Sequence, residues 1–111
     1  MAQTIKYPFG AATKAAVTSG ATMALTVDNP VTYATISEMA AAGTLNLTVN
    51  EEMPVGAILY VRVSADSTNR TLTLGTGMTA NAFTVTASKA FLLTYVFDGS
   101  KYIAQSTLQL N

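Results

Sequence analysis

Carboxylates are the side chains of this 111-residue chain best suited to acid–base chemistry near neutral pH, because the chain contains neither histidine nor cysteine. That absence excludes Ser-His triads, Cys-His dyads and histidine or thiolate metal sites. A two-acid hydrolase needs carboxyl groups that converge across a cleft, whereas the acids here are adjacent in sequence or lie beside turn signals. We therefore expect structural or solvated carboxylates and no enzyme, with a small two-acid hydrolase as the least favoured hypothesis. The six acids are Asp28, Glu38, Glu51, Glu52, Asp66 and Asp98.

The glycine-rich stretch "GTGMTA" (75–80) follows a strand-like segment, as a phosphate-binding loop would. It lacks the Gly-Lys-Ser/Thr ending of such a loop, and no helical pattern follows it. No run of alternating Asp or Asn residues ends in a glutamate, so a calcium loop is not indicated either. We interpret the stretch as a hairpin or bulge turn and predict no cofactor and no metal.

Three tyrosines are the other candidates for ligand contact. Tyr60, Tyr95 and Tyr102 could line a sugar-binding face, or they could be cross-strand packing partners. We favour packing, because no platform of convergent aromatic and polar residues is evident in the sequence.

The charge content is low and balanced, with six basic and six acidic residues and 11% charged residues in all. A nucleic-acid binder needs a concentrated surplus of Lys and Arg, so that class is not expected. No signal-peptide core follows Lys6, and the uncharged stretch 71–88 is interrupted by polar residues, so we expect neither export nor a membrane span. A weakly charged surface favours an oligomer within a larger assembly.

Short segments with alternating apolar residues recur between turn signals, as expected for β-strands. They predict an all-β, single-domain antiparallel β-sandwich or barrel. "SEMAAAG" (37–43) predicts one helical turn. Asp98-Gly99 predicts a hairpin with a type I′ turn, and the strand before it is apolar on both faces, which favours a position inside a sheet. The strand-like segments are 22–27, 31–36, 44–49, 57–63, 70–74, 83–86 and the two flanks of Asp98-Gly99.

Residues 1–20 lack clear strand alternation and are interpreted as an extended or partly folded arm, followed by a domain over 21–111. The arm carries a compact apolar group with one cation: Ile5, Lys6, Tyr7, Pro8 and Phe9. Aromatic side chains outside a core are costly to leave in water, so we predict that this group anchors the protein to a larger partner. The alternative is that Tyr7 and Phe9 fold back onto the protein's own sheet.

The stretch "TLNLTVNEEMPVGAILYVRVSADSTNRTLTLGTGMTA", followed by "TYVFDGSKYIAQS", resembles small β-rich virion accessory proteins of tailed bacteriophages, of the capsid decoration and head-fibre type. The resemblance covers roughly residues 44–106. It implies a non-enzymatic structural protein that decorates or stabilises the capsid, assembled in the host cytoplasm and located in the virion. By the same analogy it implies a homotrimer whose partners are the major capsid protein or other virion proteins. The alternative is a receptor- or carbohydrate-binding module of a phage fibre or tail.

Overall fold

The computed structural model describes residues 12–79 and 81–111, and within them the regular structure is entirely β, with no helix. The predicted anchor residues 5–9 lie outside the described residues. None of the described residues belongs to a helix that is long and apolar enough to cross a membrane. The strands are β1 (Ala12–Val17), β2 (Thr22–Val27), β3 (Val31–Ile36), β4 (Gly43–Val49), β5 (Ile58–Ser64), β6 (Arg70–Leu74), β7 (Asn81–Val85), β8 (Ala90–Phe97) and β9 (Tyr102–Gln109).

The strands form two sheets, a five-stranded one in the order β1-β3-β5-β8-β9 and a four-stranded one in the order β2-β4-β6-β7. From β1 to β6 each strand crosses to the opposite sheet, so neighbours within a sheet come from successive passes of the chain and run parallel. Among the strands that the structure describes, the antiparallel pairs are β5–β8, β6–β7 and β8–β9. The predicted all-antiparallel pairing is therefore wrong, because alternation specifies which face a side chain takes but not the direction of its neighbour.

One hydrophobic core contains the inward side chains of both sheets. The side chains predicted to point inward on β5 and β6 are buried, as the alternation requires. Phe83 of β7 packs edge-on against Phe91 of β8, with ring centroids 5.2 Å apart, so the two sheets touch near this point. The largest fully buried side chains are Tyr102, Met23, Met39, Leu45, Leu59, Leu72, Met78, Leu93, Val27, Val61, Val63 and Val85.

Two segments differ from the sequence expectation. Residues 12–17, assigned to the arm, form β1, which pairs with β3 along its whole length. Residues 37–43 contain no helical turn: Met39 is fully buried and forms a bridge with Ala65, so this segment carries the chain from β3 across to β4. A single turn gains one hydrogen bond for several fixed dihedrals, and burial of Met39 outweighs it.

The hairpin at Asp98-Gly99 is confirmed, and it joins β8 to β9. β8 lies between β5 and β9, as its two apolar faces predicted. The turn itself differs, because the Asp98 N–H donates to the Lys101 carbonyl at 3.0 Å, so Gly99 and Ser100 are its central residues. Of these two, only Gly99 has a positive φ, of 102°, whereas a type I′ turn needs positive φ at both positions.

Candidate functional site

The most distinctive surface is the outer face of the five-stranded sheet, the side that points away from the core. Strand register brings its side chains into contiguous rows that run across the sheet. We call this surface the apolar face. Its large side chains are Val31, Tyr33, Ile58, Tyr60, Leu92, Val96, Ile103 and Leu108.

These side chains are partly or largely open to solvent. Leu108 is 57% exposed and Ile103 is 44% exposed, while Val31 and Tyr33 are near 37%. The rings of Tyr33 and Tyr60 lie 6.4 Å apart at a tilt of 40°, which gives the middle of the face an aromatic pair. Such a cluster is what an interface uses, because aromatic and branched side chains contribute most of the area that a partner can bury.

Charges are sparse on the apolar face. Across its three rows the charged residues are Lys14 on β1 and Arg62 on β5, with no acid among them. Arg62 lies on β5, the central strand of the sheet, and arginine is the charged residue that is enriched in interfaces.

The outer face of the four-stranded sheet has a different composition. Its outward positions are mostly hydroxyl-bearing, with small residues between them, and register aligns them across the strands. We call this surface the threonine face. Its members include Thr22, Thr26, Thr44, Thr48, Thr71, Thr73 and Thr84.

Two of the candidate acids, Glu38 and Asp66, line one open cleft of about 460 Å³ together with Lys89. Arg70 occupies both oxygens of the Asp66 carboxylate, at 2.9 Å and 2.8 Å. This bidentate pair lowers the pKa of Asp66, which keeps it ionised and makes it a poor general acid. Within the described ranges, no three acidic side chains come close enough together to hold a metal ion.

The tyrosines singled out in the sequence separate into two groups. Tyr95 and Tyr102 are in the core, which confirms packing for these two, and burial raises the pKa of both. Tyr60 lies on the apolar face beside Tyr33. The remaining apolar-face residues were not singled out, although Val31 and Tyr33 occupy outward positions of an alternating strand and so carried a signal. No protein-family model matches this chain, and no curated protein matches it.

Proposed function

We propose that this chain is a non-enzymatic structural protein of a bacteriophage virion, which decorates or stabilises the capsid as a homo-oligomer, with a homotrimer as the expected form. In this proposal the two sheets stack as a β-sandwich, the apolar face packs against other copies, and residues 5–9 attach the assembly to the major capsid protein or another virion protein. The phage assignment rests on the resemblance over residues 44–106.

The observation that carries the proposal is the apolar face. Five strands spaced by about 4.8 Å, with about 17 Å of strand length, give the whole outer face of the sheet an area of about 400 Å². The apolar side chains cover part of this area, and exposed apolar patches on soluble proteins often mark interaction sites. The polar positions among them are Lys14, Thr35, Arg62, Thr94 and Ser106. Burial at about 25 cal/mol per Å² favours any assembly that removes the face from water.

The distribution of polar groups supports a structural role over catalysis. The cleft that holds Glu38 and Asp66 is open, and the negative charge of Asp66 is compensated by its ion pair with Arg70. Within the described part of the chain, the buried side-chain atoms without a hydrogen-bond partner are the Thr32 and Tyr102 hydroxyls, which belong to core-facing side chains and not to the cleft. Neither the cleft nor the buried hydroxyls provide two converging carboxyl groups with separated pKa values, which general acid–base hydrolysis uses.

The proposal is tested with variants that separate self-association from attachment. Val31→Lys introduces a charge on the apolar face, and we expect the molar mass in light scattering to fall, because a buried lysine is costly. Removal of residues 1–10 should abolish binding to particles stripped of this protein, while the melting temperature changes little.

Val55→Lys is the matched control for the face, because Val55 is 74% exposed in the loop between β4 and β5. The proposal fails if Val31→Lys and Val55→Lys leave the same mass, or if the shortened chain still binds particles at wild-type occupancy. A shortened chain that loses thermal stability instead would show that Tyr7 and Phe9 pack on the protein's own sheet.

The exposed Tyr33–Tyr60 pair favours one second candidate, the carbohydrate- or receptor-binding module. Sugars stack on exposed aromatic rings, and Arg62 lies one row away to donate hydrogen bonds. Glycan-array binding that is lost in Tyr60→Ala, with the molar mass unchanged, would favour this candidate over the assembly surface.

A further inference from the structure

Strand β9 has an unusual position at the edge of the five-stranded sheet. Every residue from Ile103 to Gln109 is exposed, on both sides of the strand. The positions that share the inward register with the buried residues of β8 are Ala104, Thr107 and Gln109. These three positions are exposed, and the ring contact of β7 is made with β8, through Phe83 and Phe91.

The other described edge strands are less open. β2 buries every second residue, and β7 buries Val85. β1 buries Val17 and carries Lys14, a charge of the kind that discourages edge pairing. β9 is therefore the edge at which an added strand would gain the most new contacts.

The sequence of β9 contains few of the features that protect natural edge strands. From Tyr102 to Asn111 there is no charged side chain, no proline and no glycine. One irregularity is present, a register shift opposite Thr94 and Tyr95. Beyond it the strand pairs regularly with β8 from Ser106 to Gln109. An uncharged, regular edge is a template for strand addition.

The hydrogen bonds that β9 makes determine which of its backbone groups point away from β8. The Tyr102 N–H donates to the Gly77 carbonyl and the Tyr102 carbonyl accepts from Thr79, so the 77–79 loop covers the first residue of β9. The Leu110 N–H donates to the Ala90 carbonyl at 2.8 Å. Antiparallel alternation then directs the N–H and C=O groups of Thr107 and Gln109 away from β8. The described part of the chain places no strand beyond them.

A second copy of β9 is the occupant that fits this edge best. Two uncharged strands meet without like-charge repulsion, and antiparallel pairing about a two-fold axis makes each strand complementary to itself. The whole outer face of the five-stranded sheet provides about 400 Å², about half of the roughly 800 Å² that each partner contributes to a standard interface. An independent contact at β9 would add to this area.

We propose that two copies of this protein pair through β9, antiparallel about a two-fold axis, so that their five-stranded sheets join into one sheet of ten strands. Leu108 and Ile103 then extend the apolar face across the axis. This contact rests on the self-association in the proposed function and identifies the strand that completes it. It differs from packing of the apolar faces, so the two contacts can be broken separately.

Lysines at the edge test the pairing. Thr107→Lys with Gln109→Lys adds two inward-pointing charges per copy. Homotrimers held by the apolar face would pair through β9 into assemblies of six chains, and we expect the edge lysines to return the molar mass to three chains. In the Val31→Lys background the remaining species should have twice the 11.6 kDa chain mass, and the two edge lysines should reduce it to one chain. Thr71→Lys with Thr73→Lys is the matched control, because both threonines are exposed on β6 and the added charge is the same.

A cysteine scan provides a second measurement that does not depend on weakening the contact. The natural chain has no cysteine, so Ala104→Cys, Thr107→Cys and Gln109→Cys each report one position under oxidation. Opposed residues of an antiparallel pair are about 4.5–5.5 Å apart between Cα atoms, within reach of a disulfide. We expect crosslinking to be strongest at one position, the one nearest the two-fold axis.

The pairing is overturned if the edge lysines leave the mass unchanged, or if no β9 cysteine crosslinks above the level of Thr73→Cys. Should Val31→Lys leave the mass unchanged while the edge lysines reduce it, the packing of the apolar faces fails and the β9 contact stands. Should the edge lysines have no effect while Val31→Lys dissociates the oligomer, the proposed function stands and the β9 contact is wrong.

Discussion

The two outer faces of this protein are built on the same kind of strand and yet meet their surroundings differently. The threonine face presents hydroxyls row after row, whereas the apolar face presents Val, Ile, Leu and Tyr at many of the equivalent positions. Thr and Val have nearly the same shape and both favour extended backbone. Strand formation is therefore satisfied by either residue, and the choice between a methyl and a hydroxyl depends on what the face contacts.

This contrast also explains how a weakly charged chain remains compatible with water. Hydroxyls hydrate the threonine face without adding charge. The low charge content therefore leaves mainly the apolar face poorly hydrated. The apolar face is where removal from water lowers the free energy most, and β9 extends that surface to an open edge.

The largest expected effect is on the free energy of unfolding, when the same Leu→Ala change is made in the core and on the apolar face. Leu72 is fully buried, and Leu72→Ala should lower the free energy of unfolding by about 2–5 kcal/mol through lost burial and a cavity. Leu108→Ala removes the same atoms from an exposed position and should change it by less than about 0.5 kcal/mol. Urea denaturation of dilute protein measures both. Equal losses would mean that Leu108 is already packed within one chain, against the idea that its face is free for a partner.

A smaller effect on the free energy of unfolding is expected at Gly43, the first residue of β4. A Cβ on Gly43 would lie 2.8 Å from Met23 Cε and overlap the Gly20 carbonyl oxygen, so Gly43→Ala should cost about 1–3 kcal/mol. Gly20→Ala is the control, because its Cβ would meet nothing closer than the Thr22 carbonyl oxygen at 4.0 Å. Denaturation midpoints distinguish them. If Gly43→Ala is neutral, the approach of β2 to β4 is looser than the structure has it.

The smallest effect concerns two acids in the connections between strands, Asp98 in the hairpin between β8 and β9 and Asp66 between β5 and β6. N–H groups of Lys101 and Ser100, each 2.8 Å from Asp98 Oδ1, lower the pKa of Asp98. A carboxyl with a lower pKa in the folded state stabilises the protein fully above the ordinary carboxyl pKa, and that contribution is lost as the pH falls below about 4.

Asp98→Asn keeps an oxygen that accepts these hydrogen bonds but cannot titrate. We therefore expect the drop in the urea midpoint between pH 7 and pH 3 to be smaller in this variant than in the wild type. Asp66→Asn should reduce the drop further, because the Arg70 pair lowers the pKa of Asp66 in the same direction. An unchanged drop in the double variant would contradict this account of the turn.

Much of the local structure followed from the sequence by itself. The alternation in "AILYVRV" placed Leu59, Val61 and Val63 inward, because a pleated strand sends successive side chains to opposite faces. Asp98-Gly99 indicated a hairpin, because glycine adopts positive φ at little cost. The absence of histidine and cysteine excluded whole classes of chemistry. These inferences depend on composition or on near neighbours in the chain, which the sequence contains directly.

The tertiary structure decided the rest. The crossing of each strand to the opposite sheet made the pairs from β1 to β6 parallel, and it recruited residues 12–17 into the sheet through pairing with a strand nearly twenty residues later. The apolar face exists because pairing aligns the outward residues of strands that are distant in the chain, and the open edge exists because β9 is the last strand of its sheet. Such features arise from hydrogen bonds and packing between residues far apart in the chain. Period-two alternation is the same for a strand with parallel, antiparallel or no neighbours, so it carries no information about them.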